Sequence, residues 1–486
     1  MPEKHYLYGA AVQGIQNFIF QTDKLKDIVG ASELVEHICK KIFMQYAKDG
    51  RCVVNAAGNI KYIFHSKSAC EEAVLKFPFD VMNMAPGITV SQAVVKMEGD
   101  HEIFENAVDE LELRLKAQRN KPFRSATIGF MGMLRSRTTG QPAVGKIDFQ
   151  DEATQSKLRF VESKSLSDKC FGDLKFRKTT TDINKLTGKN DWLAVIHADG
   201  NGLGNVVKAI GKDQSQLSEF SSLLEEATSD AAKIAFDSIV NQFEINDLIP
   251  IRPIIIGGDD LTVICRGDIA IDYTKAFLAA FENKTKAKMA TILTSAGLPF
   301  DYLTSCAGIA YIKSSFPFHY GYQLAESLCK KSKEIAKLEE CMVNGLAPSC
   351  MMFHKVQDSF ITDIESIFER ELQPQANLTL VNGPYFLRNT NNWWSIDKLM
   401  KNVNSLKSDD KRTNAIKSNL RQWLSLLYVD LNKAKQKQKR MESILGDDWK
   451  AYELESLTVT EKKNPVYDIL SLCSIRYKET KGEAKS

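Results

Sequence analysis

One order of hydrophobic patterns occurs twice in this sequence, and few folds accommodate it. A β-like run at 6–11 is followed by apolar residues at helical spacing over 32–47 (Leu34, Val35, Ile38, Ile42, Phe43). Two short β-like runs, 52–55 and 60–64, then flank Ala56-Ala57-Gly58-Asn59, which reads as a hairpin turn. A helix near 68–77, a strand at 88–95 and a helix over 102–118 close the first unit. The order returns as a buried strand at 192–197, a long helix over 216–243, strands at 251–256 and 261–265, a helix over 269–283, a strand at 304–312 and a helix over 320–337. Each copy is βαββαβ, the split ferredoxin-like arrangement, so the expected class is α+β with two such domains. Between them, 132–190 is rich in Ser, Thr, Lys and Asp and reads as an insertion or linker. From about Met351 the pattern is mostly helical. Residues 415–431 are amphipathic, and the basic run Lys433–Arg440 continues that helix. Trp393-Trp394 falls in a polar loop, and the last residues read as a frayed tail.

Composition supports folded cores. The chain has 486 residues, 43% hydrophobic and 26% charged, with 27 Gly and 13 Pro, which excludes collagen-like or broadly disordered readings. No apolar run reaches about 18 residues, so no membrane span is expected. The N-terminus lacks the apolar core of a signal peptide, so a cytoplasmic protein is expected. With 64 basic and 61 acidic residues, net charge argues neither for nor against nucleic acid. The ten cysteines include no C-x-x-C pair, which disfavours a zinc ribbon, and read as small buried hydrophobes. None of the seven histidines precedes an aspartate, so the doublet of metal-dependent phosphohydrolases is absent.

The chemistry concentrates in the second copy. Asp199 ends a buried strand and is followed by Gly200-Asn201-Gly202-Leu203-Gly204 and a helix; Gly257-Gly258-Asp259-Asp260 turns the next hairpin. In a ferredoxin-like sheet the first strand neighbours that hairpin, so the three carboxylates converge. Close carboxylates repel unless a cation compensates them. Mg²⁺ or Mn²⁺ is the natural choice, and two such ions suit in-line phosphoryl displacement. Gly202 and Gly204 would let backbone N–H groups approach a triphosphate, while Gly257 and Gly258 keep side chains away from a nucleotide. Alone, a Gly-Gly-Asp-Asp turn is ordinary and the glycine run lacks Rossmann or P-loop spacing. Together, two adjacent acids within an apolar hairpin call for a metal.

On these residues the chain resembles the polymerase-cyclase large subunit of type III CRISPR effector complexes. Residues 190–340 look like its second palm domain, through His197-Ala198-Asp199-Gly200-Asn201, Ile256–Asp260, Ser305–Lys313, Phe316–Tyr320 and Ala325–Cys329. Gly14–Phe20, Leu25–Ser32 and the degenerate turn Ala56–Asn59 resemble its first palm, and Asn382–Leu387 is also similar. The resemblance implies a first palm at 1–130 that binds nucleotide without catalysis, an insertion at 131–190, a catalytic second palm at 191–345 and a helical C-terminal domain at 346–486. It implies that Asp199, Asp259 and Asp260 hold the metals and catalyse. Nucleotide would be bound by Gly200, Asn201, Gly202, Leu203, Gly204, Gly257, Gly258 and Lys333, with Ser32, Gly58 and Asn59 in the first palm. Lys333 is preferred as phosphate ligand over its helix neighbours Lys330 and Lys337 and over Lys313; His319 and His65 read as structural or surface residues.

The implied activity joins ATP into cyclic oligoadenylate second messengers in antiviral defence, with the other subunits of a ribonucleoprotein carrying guide and target RNA. The family's usual HD nuclease and inter-palm zinc cysteines are not expected, so DNA cleavage is not. Base choice, ring size and linkage stay open, as does an acceptor other than ATP, and the chain could act outside a complex. Two rivals remain: a non-catalytic nucleotide-binding scaffold of an RNA-guided complex, and a single-round cyclase making a cyclic dinucleotide.

Overall fold

The computed structural model describes residues 4–56, 58–98, 102–120, 130–144, 149–172, 178–187, 192–210, 214–244, 247–357, 364–375, 377–390, 393–458 and 463–475. Strands β1 (Lys4–Gln13), β2 (Gly50–Ala56), β3 (Asn59–Phe64) and β4 (Thr89–Glu98) form an antiparallel sheet in the order β2-β3-β1-β4. That order is the ferredoxin-like one expected from the pattern. Alternation along β1 shows why it sits centrally: Leu7 enters a cluster with Leu111 and Leu115, while Tyr8 and Ala10 enter the opposite one with Ile28 and Phe77. The helices behind these faces are α1 (Leu25–His37), α2 (Lys67–Met84) and α3 (Glu102–Arg119).

α1 begins seven residues before the expected start at Ser32. Gly30 weakens the helical signal there, and packing explains its presence. A Cβ on it would stand 2.2 Å from the Lys157 carbonyl oxygen, on the short helix Glu152–Leu158 that docks against α1. The inserted stretch is thus partly helical, with further turns at Ser165–Cys170 and Ile183–Thr187.

The second sheet comprises β5 (Trp192–Gly200), β6 (Ile251–Gly257), β7 (Asp260–Arg266), β8 (Ser305–Lys313), β9 (Cys350–Lys355) and β10 (Tyr385–Phe386), ordered β10-β9-β8-β5-β7-β6. Its β8-β5-β7-β6 portion repeats the first sheet's topology, with helices α4 (Gln214–Val240), α5 (Ala270–Ser295) and α6 (Phe318–Ala336). β9, which pairs parallel to β8, comes from a stretch read as mostly helical. Its run Cys350-Met351-Met352-Phe353 is apolar without helical spacing because both faces are buried. The basic run is also corrected: Asp430 is extended, its carboxylate accepts from the Asn432 and Lys433 amides, and it starts a separate helix, Leu431–Leu445, after Lys411–Val429.

One apolar cluster runs from Ile28, Leu34 and Ile60 of the first unit to Val195, Ile264, Ala310 and Leu328 of the second, so the two sheets share a core. All ten cysteines are free thiols, eight of them buried. Among the described residues no helix is long and apolar enough to cross a membrane.

Candidate active site

Register brings the three aspartates together. β5 is flanked by β7 (Ala198 opposite Leu261) and β8 (Asp199 opposite Cys306), so Asp199 emerges level with the start of β7 at Asp260. Gly257 pairs with Asp260 across a two-residue turn, and Gly258 has φ +62°, the left-handed conformation that tight turns reserve for glycine. Thr228 on α4 pins this turn by donating to the Gly258 carbonyl at 2.7 Å. Asp259 accepts from the Gly200 amide at 3.1 Å. A Cβ on Gly200 would lie 3.0 Å from the Asp259 Cβ, so the approach of turn to strand end requires glycine.

The Asp199 and Asp259 carboxyls are hydrogen-bonded to each other, which needs a proton between them. Burial first, then the bond to Asp199 and the charges of Asp199 and Asp260, push Asp259 well above the usual carboxylate range. Asp199 goes the other way: burial raises it, but the Asp259 bond and the Lys333 ammonium outweigh that and hold it low. Asp260 is pushed up to about 7 by burial and by the Asp199 charge, and its Oδ1 is buried with no hydrogen-bond partner. The His197 Nδ1 is 3.7 Å from that oxygen and 3.2 Å from the Thr262 hydroxyl, and burial holds the imidazole below its usual pKa.

Lys333, late in α6, pairs with Asp199 and donates to the Gly200 carbonyl at 2.6 Å. The donor set suits a hard divalent cation: three carboxylates at one strand end, one oxygen orphaned, two held together by a proton. Among the described residues, however, no three His, Cys, Asp or Glu side chains are arranged to hold an ion, and Asp199 is paired with the Lys333 ammonium.

The other expected residues divide. Ser32 and Gly58, from the first unit, line a cavity of about 400 Å³ together with Gly257 and Asp260 of the second. Gly202 and Gly204 border open space beside the helix Leu203–Ile210, with Leu203 partly packed on the core. Asn201 turns inward instead, donating to the Thr304 hydroxyl at 3.1 Å and the Ala347 carbonyl at 3.4 Å, so its side chain anchors the loop. Asn59 is exposed, paired with Ala11 and Ala56, and does not line the cavity. Lys330 and Lys337 are exposed, and Lys313 lies over the Trp192 ring at the far end of β5. His65 faces His5, and His319 is half-exposed near Asp23.

Sequence reasoning missed the cavity's charged wall. Glu225 of α4 accepts from Lys40 at 2.6 Å and from Lys169 at 2.7 Å, and Lys169 also meets Glu36 at 2.6 Å. The four come from three separate parts of the chain and carry no local motif.

The profile of the Cas10/Cmr2 second palm domain matches residues 192–340. No curated protein sequence matches the chain. A crystal structure of a Csm1–Csm4 cassette in complex with pppApA is similar at a TM-score of 0.60 and 13% identity, over 98% of this chain and 69% of that one. A cassette with pppApApA gives 0.60 and 14%, over 98% and 70%. One with cA4 gives 0.57 and 13%, over 98% and 70%. At such identity the structural likeness is one of fold, and the profile match locates it at the aspartate-bearing sheet. Residues 192–340 thus match a Cas10/Cmr2-type second palm, and the chain as a whole is similar in fold to the solved Csm1–Csm4 cassettes.

Proposed function

We propose that this chain is a metal-dependent nucleotidyltransferase that condenses ATP into a cyclic oligoadenylate or a related adenosine-based messenger. The carrying observation is the meeting of Asp199, Asp259 and Asp260, of which Asp260 lines a cavity that Ser32 and Gly58 of the first unit also line. A nucleotide on each wall would meet a second one at the aspartates. The solved Csm1–Csm4 cassettes with pppApA, pppApApA and cA4 support the substrate class and suggest partner subunits of a type III CRISPR ribonucleoprotein for this chain as well.

Asp199, Asp259 and Asp260 would hold Mg²⁺ or Mn²⁺, which when bound neutralises phosphate charge and activates a hydroxyl. The chain's own residues do the rest. The glycines at 257, 258, 202 and 204 leave room for a triphosphate, and Lys333 is placed to exchange its bond with Asp199 for a phosphate oxygen. The 3′-hydroxyl oxygen of one nucleotide bonds to the α-phosphorus of the next as pyrophosphate leaves, and the hydroxyl proton passes to solvent. Gln16 and Ser32 belong to the wall that orients the partner nucleotide.

The test is incubation with radiolabelled ATP and Mn²⁺, wild type against Asp259→Ala/Asp260→Ala, with products sized by mass spectrometry, alone and with partner subunits plus guide and target RNA. Identical product profiles from the two proteins remove the proposal. The scaffold reading has one observation in its favour, the Lys333–Asp199 pair standing where a cation would. Calorimetry showing nucleotide binding without turnover, with Mg²⁺ and RNA present, would select it.

A further inference from the structure

A second cleft, of about 370 Å³, lies between the segment around Gln16–Gln21 and the first two turns of α6. It adjoins the cavity that Asp260 lines, with Asn17 shared between the two. Gln16 lines both, and its Nε2 donates to the Tyr322 hydroxyl at 2.6 Å. Tyr322 in turn meets His197 edge-on at 5.6 Å between ring centroids, and His197 is the neighbour of Asp260.

The lining chemistry is distinctive. It presents the carboxamides of Gln16, Asn17, Gln21 and Gln323, the imidazole of His319 and the carboxylate of Glu326. Phe20 and Tyr322, stacked at 4.5 Å, form an apolar floor. No lysine or arginine is among its described lining residues. A phosphate group would therefore meet no cation and would be repelled by Glu326. A nucleobase suits it well: each carboxamide sets a donor beside an acceptor, the complement of the N6/N7 edge of adenine. The Glu326 carboxylate is an acceptor for ribose hydroxyls. At about 370 Å³ the cleft lies near the small end of ligand sites, which run from about 300 to 1,000 Å³, and suits one nucleoside rather than two.

We propose that this cleft is a nucleoside subsite that receives the base and ribose of a growing chain beyond the two nucleotides held at the aspartates. The inference rests on the nucleotidyltransferase reading above and extends it to product length. A dinucleotide occupies only the aspartate cavity; a third nucleoside passes the Gln16–Tyr322 contact and settles against Gln323 and His319.

The experiment compares binding of the linear probes ApA and ApApA by calorimetry, in the full chain and in a His319→Ala/Gln323→Ala variant. Neither position is buried, so the variant is expected to fold, and an unchanged thermal midpoint checks this. Wild type is expected to bind ApApA about tenfold more tightly than ApA, the contribution of one well-held base. The variant should bind both equally, and its ATP products should shift from longer chains toward the dinucleotide. Photolabelling with an azidoadenosine trinucleotide should mark the peptide carrying residues 319–326. If wild type makes no oligonucleotide from ATP but prefers ApApA and the variant loses that preference, the reading of the aspartates fails and the subsite stands. If wild type makes oligonucleotides while binding ApA and ApApA equally and the variant's product spread is unchanged, the subsite is overturned and the catalytic reading survives.

Discussion

Lys333 reaches from the last turn of α6 to the Asp199 carboxylate and, through the Gly200 carbonyl, fixes the strand end that carries it. It neutralises one of three carboxylates that would otherwise repel. Lys333→Met should therefore destabilise the cation-free protein. Asp199 is 39% exposed, so solvent screening limits the loss to about 1–2 kcal/mol, below that of a fully buried pair. Millimolar Mn²⁺ should close much of the gap, since a bound cation replaces the missing charge. Thermal midpoints of both proteins with and without Mn²⁺ check this; an equal gap in the two conditions sinks it.

Asp259 pulls in the other direction. It is buried beside two other acids and bonded to Asp199 through a proton. An amide supplies that hydrogen permanently and still has an oxygen for the Gly200 amide, so Asp259→Asn should stabilise the cation-free fold. About 1 kcal/mol, or roughly 1 °C in a chain of this size, is expected. Nucleotidyl transfer should fall at least about a hundredfold. A variant both less stable and inactive would mean that Asp259 serves packing rather than chemistry. Stability given up at one residue in this way is a mark of a functional site.

Much of this architecture was legible because it is written in local periods. β1 alternates between two cores and β5 is apolar from Trp192 to Ile196 because both its faces are buried, so both strands announced themselves. The aspartates were legible because strand order follows from the βαββαβ pattern. What escaped was non-local. The start of α1 depends on Gly30 meeting the backbone of Lys157, and no pattern near residue 30 reports residue 157. The Lys40–Glu225–Lys169 bonds and the Gln16–Tyr322 contact join residues as much as 306 positions apart. Asn201 looked like a nucleotide ligand from its glycine neighbours, yet its amide serves Thr304 and Ala347, which only the fold brings near.

The seat of α6 on β8 makes a sharper prediction. A Cβ on Gly308 would stand 1.9 Å from the Ala325 carbonyl oxygen and 2.5 Å from the Cys329 nitrogen, both backbone atoms that cannot yield singly. Gly308→Ala must lift the helix that carries Lys333, at a cost of about 3 kcal/mol or more. Gly204→Ala, facing open space in the first turn of its helix, should change stability by no more than about 0.5 kcal/mol. If Gly204 serves backbone approach to phosphate, that variant should lose activity while keeping its midpoint. Paired urea titrations and ATP turnover test both; equal destabilisation would refute the contrast.

A buried acid far from the aspartates gives the chain a distinct pH signature. Asp468 lies beneath Tyr385, whose hydroxyl donates to it at 2.5 Å. Burial outweighs that bond and one from the Asn382 backbone, and pushes the carboxyl up to about 7 from an ordinary 3.8. Between those two values the folded chain holds a proton that the unfolded chain has released. Stability from this group is therefore full below about pH 4 and lost as pH rises through 7. Asp27, Glu33, Asp259 and Asp260 are raised too and act in the same sense, while His37 and His197, held low by burial, act in the opposite one, so the contribution of Asp468 must be read as a difference. Asn at 468 still accepts from Tyr385 but does not titrate. Asp468→Asn should thus gain stability relative to wild type between pH 5 and pH 8, seen as urea midpoints that draw apart in its favour as pH rises. Parallel midpoint curves would show that the carboxyl is already ionised at pH 5 and that its neighbourhood is less apolar than the packing around Tyr385 implies.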